Sequence, residues 1–115
     1  MKKQRTKTLL LHILEDLQDI KHFLQGISKE EFRTNSMVKK AVIMSLLNIG
    51  EISRELPQEI IERNPDIPWH SIIGLRNRAA HGYHSLDDDI IWEIATGDLT
   101  KFEQTIVNEA KGKIN

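Results

Sequence analysis

Residues 41–49 are apolar at every position except Ser45 and Asn48, and no other feature limits the fold of this chain so tightly. Wound as a helix, such a run is apolar on nearly every side and must be enclosed by other elements. Strand-period alternation is absent over any useful length, so the enclosing elements must be helices too. The run lies within a predicted helix over residues 36–56. Before it, Leu10, Ile13, Leu14, Leu17, Ile20 and Leu24 recur at the spacing of one helical face over residues 7–25, and Gly26 ends that face. After it, Ile72, Ile73, Leu75, Ala79 and Ala80 mark a third face that Gly82 stops. Ile90, Ile91, Ile94 and Ala95 mark a fourth, and Leu99, Phe102, Ile106, Val107 and Ala110 a fifth. The pattern predicts an all-α fold, an antiparallel bundle of four or five helices, in one domain over residues 1–115.

The connections carry their own signals. Ser28 followed by Glu31 forms a capping box that opens a short turn ending near Asn35. All three prolines, Pro57, Pro65 and Pro68, fall between Leu56 and Trp69, the longest irregular zone. Pro57 opens a helical turn through Arg63, and Pro68 suits the first position of the next helix, where a missing N–H costs nothing. Ser85 through Asp89 supply caps and negative charge for a helix start. Gly97 and Asp98 form a break with Asp98 capping the last segment, and residues 111–115 are expected to fray. Trp69 reads as a core or interface anchor, and His12, His22 and His70 as surface residues. Glu51, near the end of the buried helix, needs a partner, with an arginine or a core hydrogen bond ahead of a catalytic role.

Composition narrows the function. The chain has no cysteine, which excludes a disulfide framework and thiol catalysis. Its basic start followed by Leu9, Leu10 and Leu11 has the outline of a signal peptide, but Glu15, Asp16 and Asp19 soon interrupt it. No apolar run approaches the roughly 20 residues that span a bilayer, so the chain is expected to be unprocessed and cytoplasmic, with no membrane partner. The formal net charge is −1, so any contact with nucleic acid must come from a local patch. His81 and His84 flank Gly82 and Tyr83 without a third ligand, and the six glycines form no phosphate loop. The expectation is no metal and no cofactor.

Chemistry concentrates in residues 74–84, Gly-Leu-Arg-Asn-Arg-Ala-Ala-His-Gly-Tyr-His. Cleaving RNA through its own 2′-hydroxyl needs a group that exchanges protons near neutral pH and a cation for the charge that builds on the phosphoryl oxygens. His81 and Arg76 are of those types. Asn77 could orient the histidine or donate a hydrogen bond, and Arg78 is a phosphate contact or a surface charge. Five helical steps leave two side chains about 140° apart around the axis, so Arg76 and His81 would not stack in a regular helix. Either the helix loosens near Gly82 and His81 swings back, or each side chain meets its partner from a second copy of the chain. The alternative without chemistry is that the two residues only cap and pair.

Gly50-Glu51, Pro68-Trp69, Gly74-Leu-Arg-Asn, His81-Gly-Tyr83 and Asp98-Leu99, in that order, resemble the HepT-like toxins of the HEPN superfamily. The resemblance runs from the His12-Ile-Leu-Glu segment to Leu99 and is most specific at Arg76-Asn77-x-x-x-His81-x-Tyr83. It implies a HEPN-like helical homodimer with a metal-independent endoribonuclease site on Arg76 and His81 in the dimer groove. It further implies the toxin of a type VII toxin–antitoxin pair, neutralised by a cognate minimal nucleotidyltransferase that adenylylates the motif tyrosine, here Tyr83. Trp69 or Trp92 would anchor the dimer. Two positions depart from the family pattern, Ile52 where alanine is common and the extra cation Arg78. The rival expectation is a non-catalytic HEPN module that binds a nucleotide or docks a nucleotidyltransferase subunit, and a further one is a purely structural dimeric adaptor.

Overall fold

Of the apolar run at residues 41–49, Val42, Ile43, Leu46 and Ile49 are buried against flanking helices, while Met44 is 49% exposed, so the expected enclosure on every side is not complete within one chain. The computed structural model describes residues 2–97 and 99–112, with the backbone alone for residues 2, 3 and 83. Among them are seven α-helices: α1 (Lys2–Leu24), α2 (Lys29–Thr34), α3 (Ser36–Ser53), α4 (Gln58–Arg63), α5 (Trp69–Ala79), α6 (Asp88–Thr96) and α7 (Leu99–Gly112). A single 3₁₀ turn, Tyr83–Ser85, joins α5 to α6. The fold is an all-α antiparallel bundle. The four or five faces read from the sequence are α1, α3, α5, α6 and α7, while α2 and α4 are six-residue helices within the predicted connections.

Helix α3 packs against α1 and α5, and α7 packs along α1. Val42, Leu46 and Ile49 of α3 meet a core that includes Leu10, Ile13 and Leu17 of α1, Ile72 of α5 and Ile106 of α7, all fully or almost fully buried. Each such side chain contributes about 1.5–3 kcal/mol by leaving water. Ser45 and Ser53, buried among them, donate to the carbonyls of Ala41 and Ile49, four residues back, at 3.1 and 2.6 Å. Gly50 sets the approach of α3 to α5. A Cβ there would lie 2.7 Å from the carbonyl oxygen of Ile72, so only glycine lets the two backbones come this close.

Helix boundaries follow their caps. The Ser28 hydroxyl accepts from the N–H of Glu31, and the Asn35 side chain accepts from Val38 at the start of α3. Of the acidic run before α6, Asp87 is the cap, accepting from the N–H groups of Asp89 and Ile90. Pro57 and Pro68 stand one position earlier than expected, as N-caps of α4 and α5. Helix α3 stops at Ser53 and not at Leu56, because Glu55 and Leu56 bond back only three residues, to Ile52 and Ser53. The expected cap at Asp98 lies outside the described residues, as does the end of the segment expected to fray. Lys111 and Gly112, its first two residues, continue α7.

Trp69 belongs to the core. Its ring meets Phe102 edge-on at 5.5 Å and its indole N–H donates to the carbonyl of Asn64. It is 3% exposed and therefore offers nothing to a second chain, which corrects one of the two expected dimer anchors. Trp92 is half-buried against Phe32, with ring centroids 5.4 Å apart. No described helix is long and apolar enough to cross a membrane.

Candidate active site

The last turn of α5 carries Arg76, Asn77 and Arg78, all three exposed. Beyond it, His81 N–H donates to Arg78 at 3.0 Å and Gly82 N–H donates to Ala79 at 2.9 Å, both bonds reaching back three residues. The chain therefore tightens into 3₁₀ turns where a loosened helix was one of the two expectations. Tightening raises the turn per residue to about 120°, so it does not carry His81 round to the side of Arg76. No hydrogen bond or ion pair joins these two side chains among the described residues. His81 is exposed at the end of the helix.

Arg76 reaches across to α3, where its guanidinium Nε pairs with a carboxylate oxygen of Glu51. Arg54, the residue that caps the end of α3, approaches the other Glu51 oxygen at 3.8 Å. The close approach at Gly50 is what brings Glu51 within reach. Both partners are about half exposed, 45% for the Arg76 side chain and 51% for Glu51, so the pair contributes position more than stability. Glu51 thus has the arginine partner expected of it, but at the surface and not in the core.

Gly82 adopts φ +117°, a backbone conformation that suits glycine. The His84 imidazole folds back over it, and a Cβ on Gly82 would lie 2.7 Å from the ring's Cε1. Ser85 closes the turn, its hydroxyl donating to the carbonyls of Gly82 at 2.6 Å and Arg78 at 3.2 Å. The backbone of Tyr83 opens the 3₁₀ turn, while its side chain, the expected point of adenylylation, lies outside what is described.

Next to Glu51 lies a group that spacing did not single out. Asp16 of α1 has its carboxyl pushed up to about 6 by desolvation and by the neighbouring charge of Asp19, against a hydrogen bond from Asn48 that favours the charged form. With His12, Glu15, Asn48 and Glu51 it lines a cavity of about 320 Å³. The crowding of Glu15, Asp16 and Asp19 on one helix was the signal available in the sequence. Among the described residues, no three His, Asp or Glu side chains converge in a way that could hold a metal ion.

Comparison with known proteins decides the lineage. Residues 13–108 match the family model described as ribonuclease HepT-like. This chain belongs to the HepT-like family. A "Putative RNase" of Methanocaldococcus jannaschii is 36% identical over 106 residues, covering 92% of this chain and 97% of that protein. A "Probable ribonuclease HepT" of Thermococcus cleftensis is 30% identical over 106 residues, covering 89% and 96%. No solved structure matches. The HepT-like match takes in Glu51, Arg76, Asn77, Arg78, His81 and Tyr83.

Proposed function

We propose that this chain is an endoribonuclease that needs no metal, with Arg76 and His81 as its catalytic residues. The observation that carries this reading is the exposed end of α5. Arg76 is held there by Glu51, and His81 stands five residues on with its imidazole open to solvent. In the reaction His81 takes the proton of the 2′-hydroxyl as its oxygen bonds to phosphorus. The bond from phosphorus to the 5′-oxygen breaks, and that oxygen takes up a proton from an imidazolium. The products are a 2′,3′-cyclic phosphate and a 5′-hydroxyl. Arg76 stabilises the charge on the phosphoryl oxygens, Asn77 orients the histidine or the phosphate, and Arg78 adds a phosphate contact.

The working form is a homodimer in which Arg76 of one copy and His81 of the other share a phosphate. Two facts support this. Arg76 and His81 do not meet within one chain, and Met37 and Met44, 77% and 49% exposed, lie seven residues apart on one stripe of α3 that continues to Glu51. The chain is the cytoplasmic toxin of a type VII toxin–antitoxin pair, and a nucleotidyltransferase antitoxin silences it by adenylylating Tyr83. AMP placed there brings bulk and negative charge to the spot where RNA must approach Arg76 and Arg78.

Incubating the purified protein with total RNA, with and without a chelator, tests the reading. Cleavage that the chelator leaves intact is the expected result. If no RNA is cut, calorimetry with nucleotides separates a nucleotide-binding HEPN module from a structural adaptor. Co-expression with the neighbouring nucleotidyltransferase should add the mass of one AMP to a peptide containing Tyr83, and Tyr83→Phe should abolish both the mass gain and the neutralisation.

A further inference from the structure

A cavity of about 460 Å³ opens between the first half of α3 and residues 84–88, and none of the roles assigned above uses it. Its walls include Lys39, Lys40 and Ile43 on one side and His84, Asp87 and Asp88 on the other. The two lysines and two aspartates balance in formal charge, but they are not all paired with one another. Lys39 is held by Asp88 at 3.0 Å, and Asp87 is occupied in capping α6. Lys40 is exposed and forms no ion pair among the described residues, so its ammonium is available at the rim while the Asp87 carboxylate is turned to the N–H groups of α6.

The place of this cavity relative to the motif is fixed by Gly82. Because the His84 ring packs where a Gly82 side chain would stand, one wall of the cavity rests on the residue that directly follows His81. A chain with net charge −1 must draw RNA to a local patch, and the cavity supplies a cation and an imidazole beside the reacting group. Its volume falls within the roughly 300–1,000 Å³ of small-ligand sites, enough for a phosphate with its sugar.

We propose that this cavity is a phosphate subsite for the RNA strand, in which Lys40 and His84 hold a backbone phosphate next to the one that is cut. This rests on the ribonuclease reading. The Lys40 ammonium supplies the charge, and an N–H of the His84 ring donates to a non-bridging oxygen. Such contacts set the register of the strand without reading its sequence. The enzyme therefore binds longer strands better than a dinucleotide.

The test is fluorescence anisotropy with a 2′-O-methyl RNA of about ten nucleotides, which cannot be cut, over a range of salt, alongside AMP as a free-nucleotide probe. Lys40→Ala should weaken binding roughly three- to tenfold and lower the slope of log affinity against log salt by about 0.7, the loss of one phosphate contact on a single strand. Lys40→Arg should restore both, His84→Asn should weaken binding severalfold, and Lys111→Ala, a surface charge on α7, should change neither quantity. Wild-type affinity and slope in Lys40→Ala would overturn the subsite, and if His84→Asn fails to fold, the lysine variants still decide. AMP binding as tightly as the oligonucleotide, with the same dependence on Lys40, would make the cavity a free-nucleotide site and overturn the RNA assignment. Lys40-dependent binding by a protein that cuts no RNA would sink the ribonuclease reading and leave a strand-binding cavity. Cleavage with Lys40-independent binding would do the reverse.

Discussion

Arg76 on α5 and Glu51 on α3 are paired through the guanidinium Nε, across the one place where α3 and α5 approach too closely for any residue but glycine. Glu51 is accordingly a positioning residue for Arg76. In the proposed mechanism its carboxylate also opposes the phosphate that the arginine would receive. Glu51→Gln should therefore lower kcat for RNA cleavage about tenfold while KM stays level or falls. Stability should change by less than about 1 kcal/mol, since the pair is half exposed. Steady-state kinetics on a defined RNA, with thermal melts, would show the split, and an unchanged kcat would remove Glu51 from the mechanism.

Gly50→Ala tests the other half of that relationship. The added methyl meets the backbone oxygen of Ile72 at 2.7 Å, and a backbone cannot rotate away as a side chain can. The expected cost is about 1–3 kcal/mol in urea denaturation, as for other overpacked sites. Activity at a temperature where the variant is fully folded should also fall, because α3 must shift and Glu51 with it.

The carboxyl of Asp16, pushed up to about 6 by burial and by Asp19, makes stability depend on pH with a definite sign. Between about pH 4 and 6 the folded state keeps a proton that the unfolded chain has released, so stability falls as pH rises through this window and then levels off. Solvent reduces the effect, and about 1 kcal/mol is expected. Asp16→Asn should remove that slope and be the more stable protein at pH 7 by a similar amount. Parallel denaturation curves for the two proteins from pH 4 to 7 check this, and identical slopes would contradict it.

Light scattering across micromolar concentrations should give the mass of two chains. Met44→Asp, placing a charge in the middle of the exposed α3 stripe, should give one chain with an unchanged helical spectrum, since Met44 packs into no core in the monomer. A monomeric wild type would remove the composite site.

Local signals were legible in the sequence, and tertiary ones were not. The periodic faces of α1 and α7 and the capping role of Ser28 depend on neighbours within a few residues and stand as read, whereas α5 ends at Ala79, three residues before the expected stop at Gly82, and Ile90 of the fourth face is exposed. Glu51 and Arg76 lie 25 positions apart, and only the Gly50 contact brings them together, so the sequence showed that Glu51 needed a partner without showing which one. Asp16 gains its shift from burial beside Asn48, another contact between helices. The path of the chain after Ala79 was open because α-helical and 3₁₀ hydrogen bonds compete at a helix end, and here the shorter bonds win. Trp69 was read as core or interface for want of knowing that Phe102 would cover it. The roles of Arg76 and His81 came from their chemical types and from the family resemblance.

The most direct measurement is single-turnover cleavage of a defined RNA by the wild type, His81→Ala and Arg76→Ala, in the presence of a chelator. Both side chains are exposed, so neither substitution should alter the helical spectrum or the dimer mass. The wild type should cleave, leaving a 2′,3′-cyclic phosphate, and each variant should be slower by about 10²- to 10⁴-fold, the usual cost of losing a proton-transfer group or an electrostatic stabiliser. Wild-type rates in both variants, or a wild type that the chelator stops, would contradict the account.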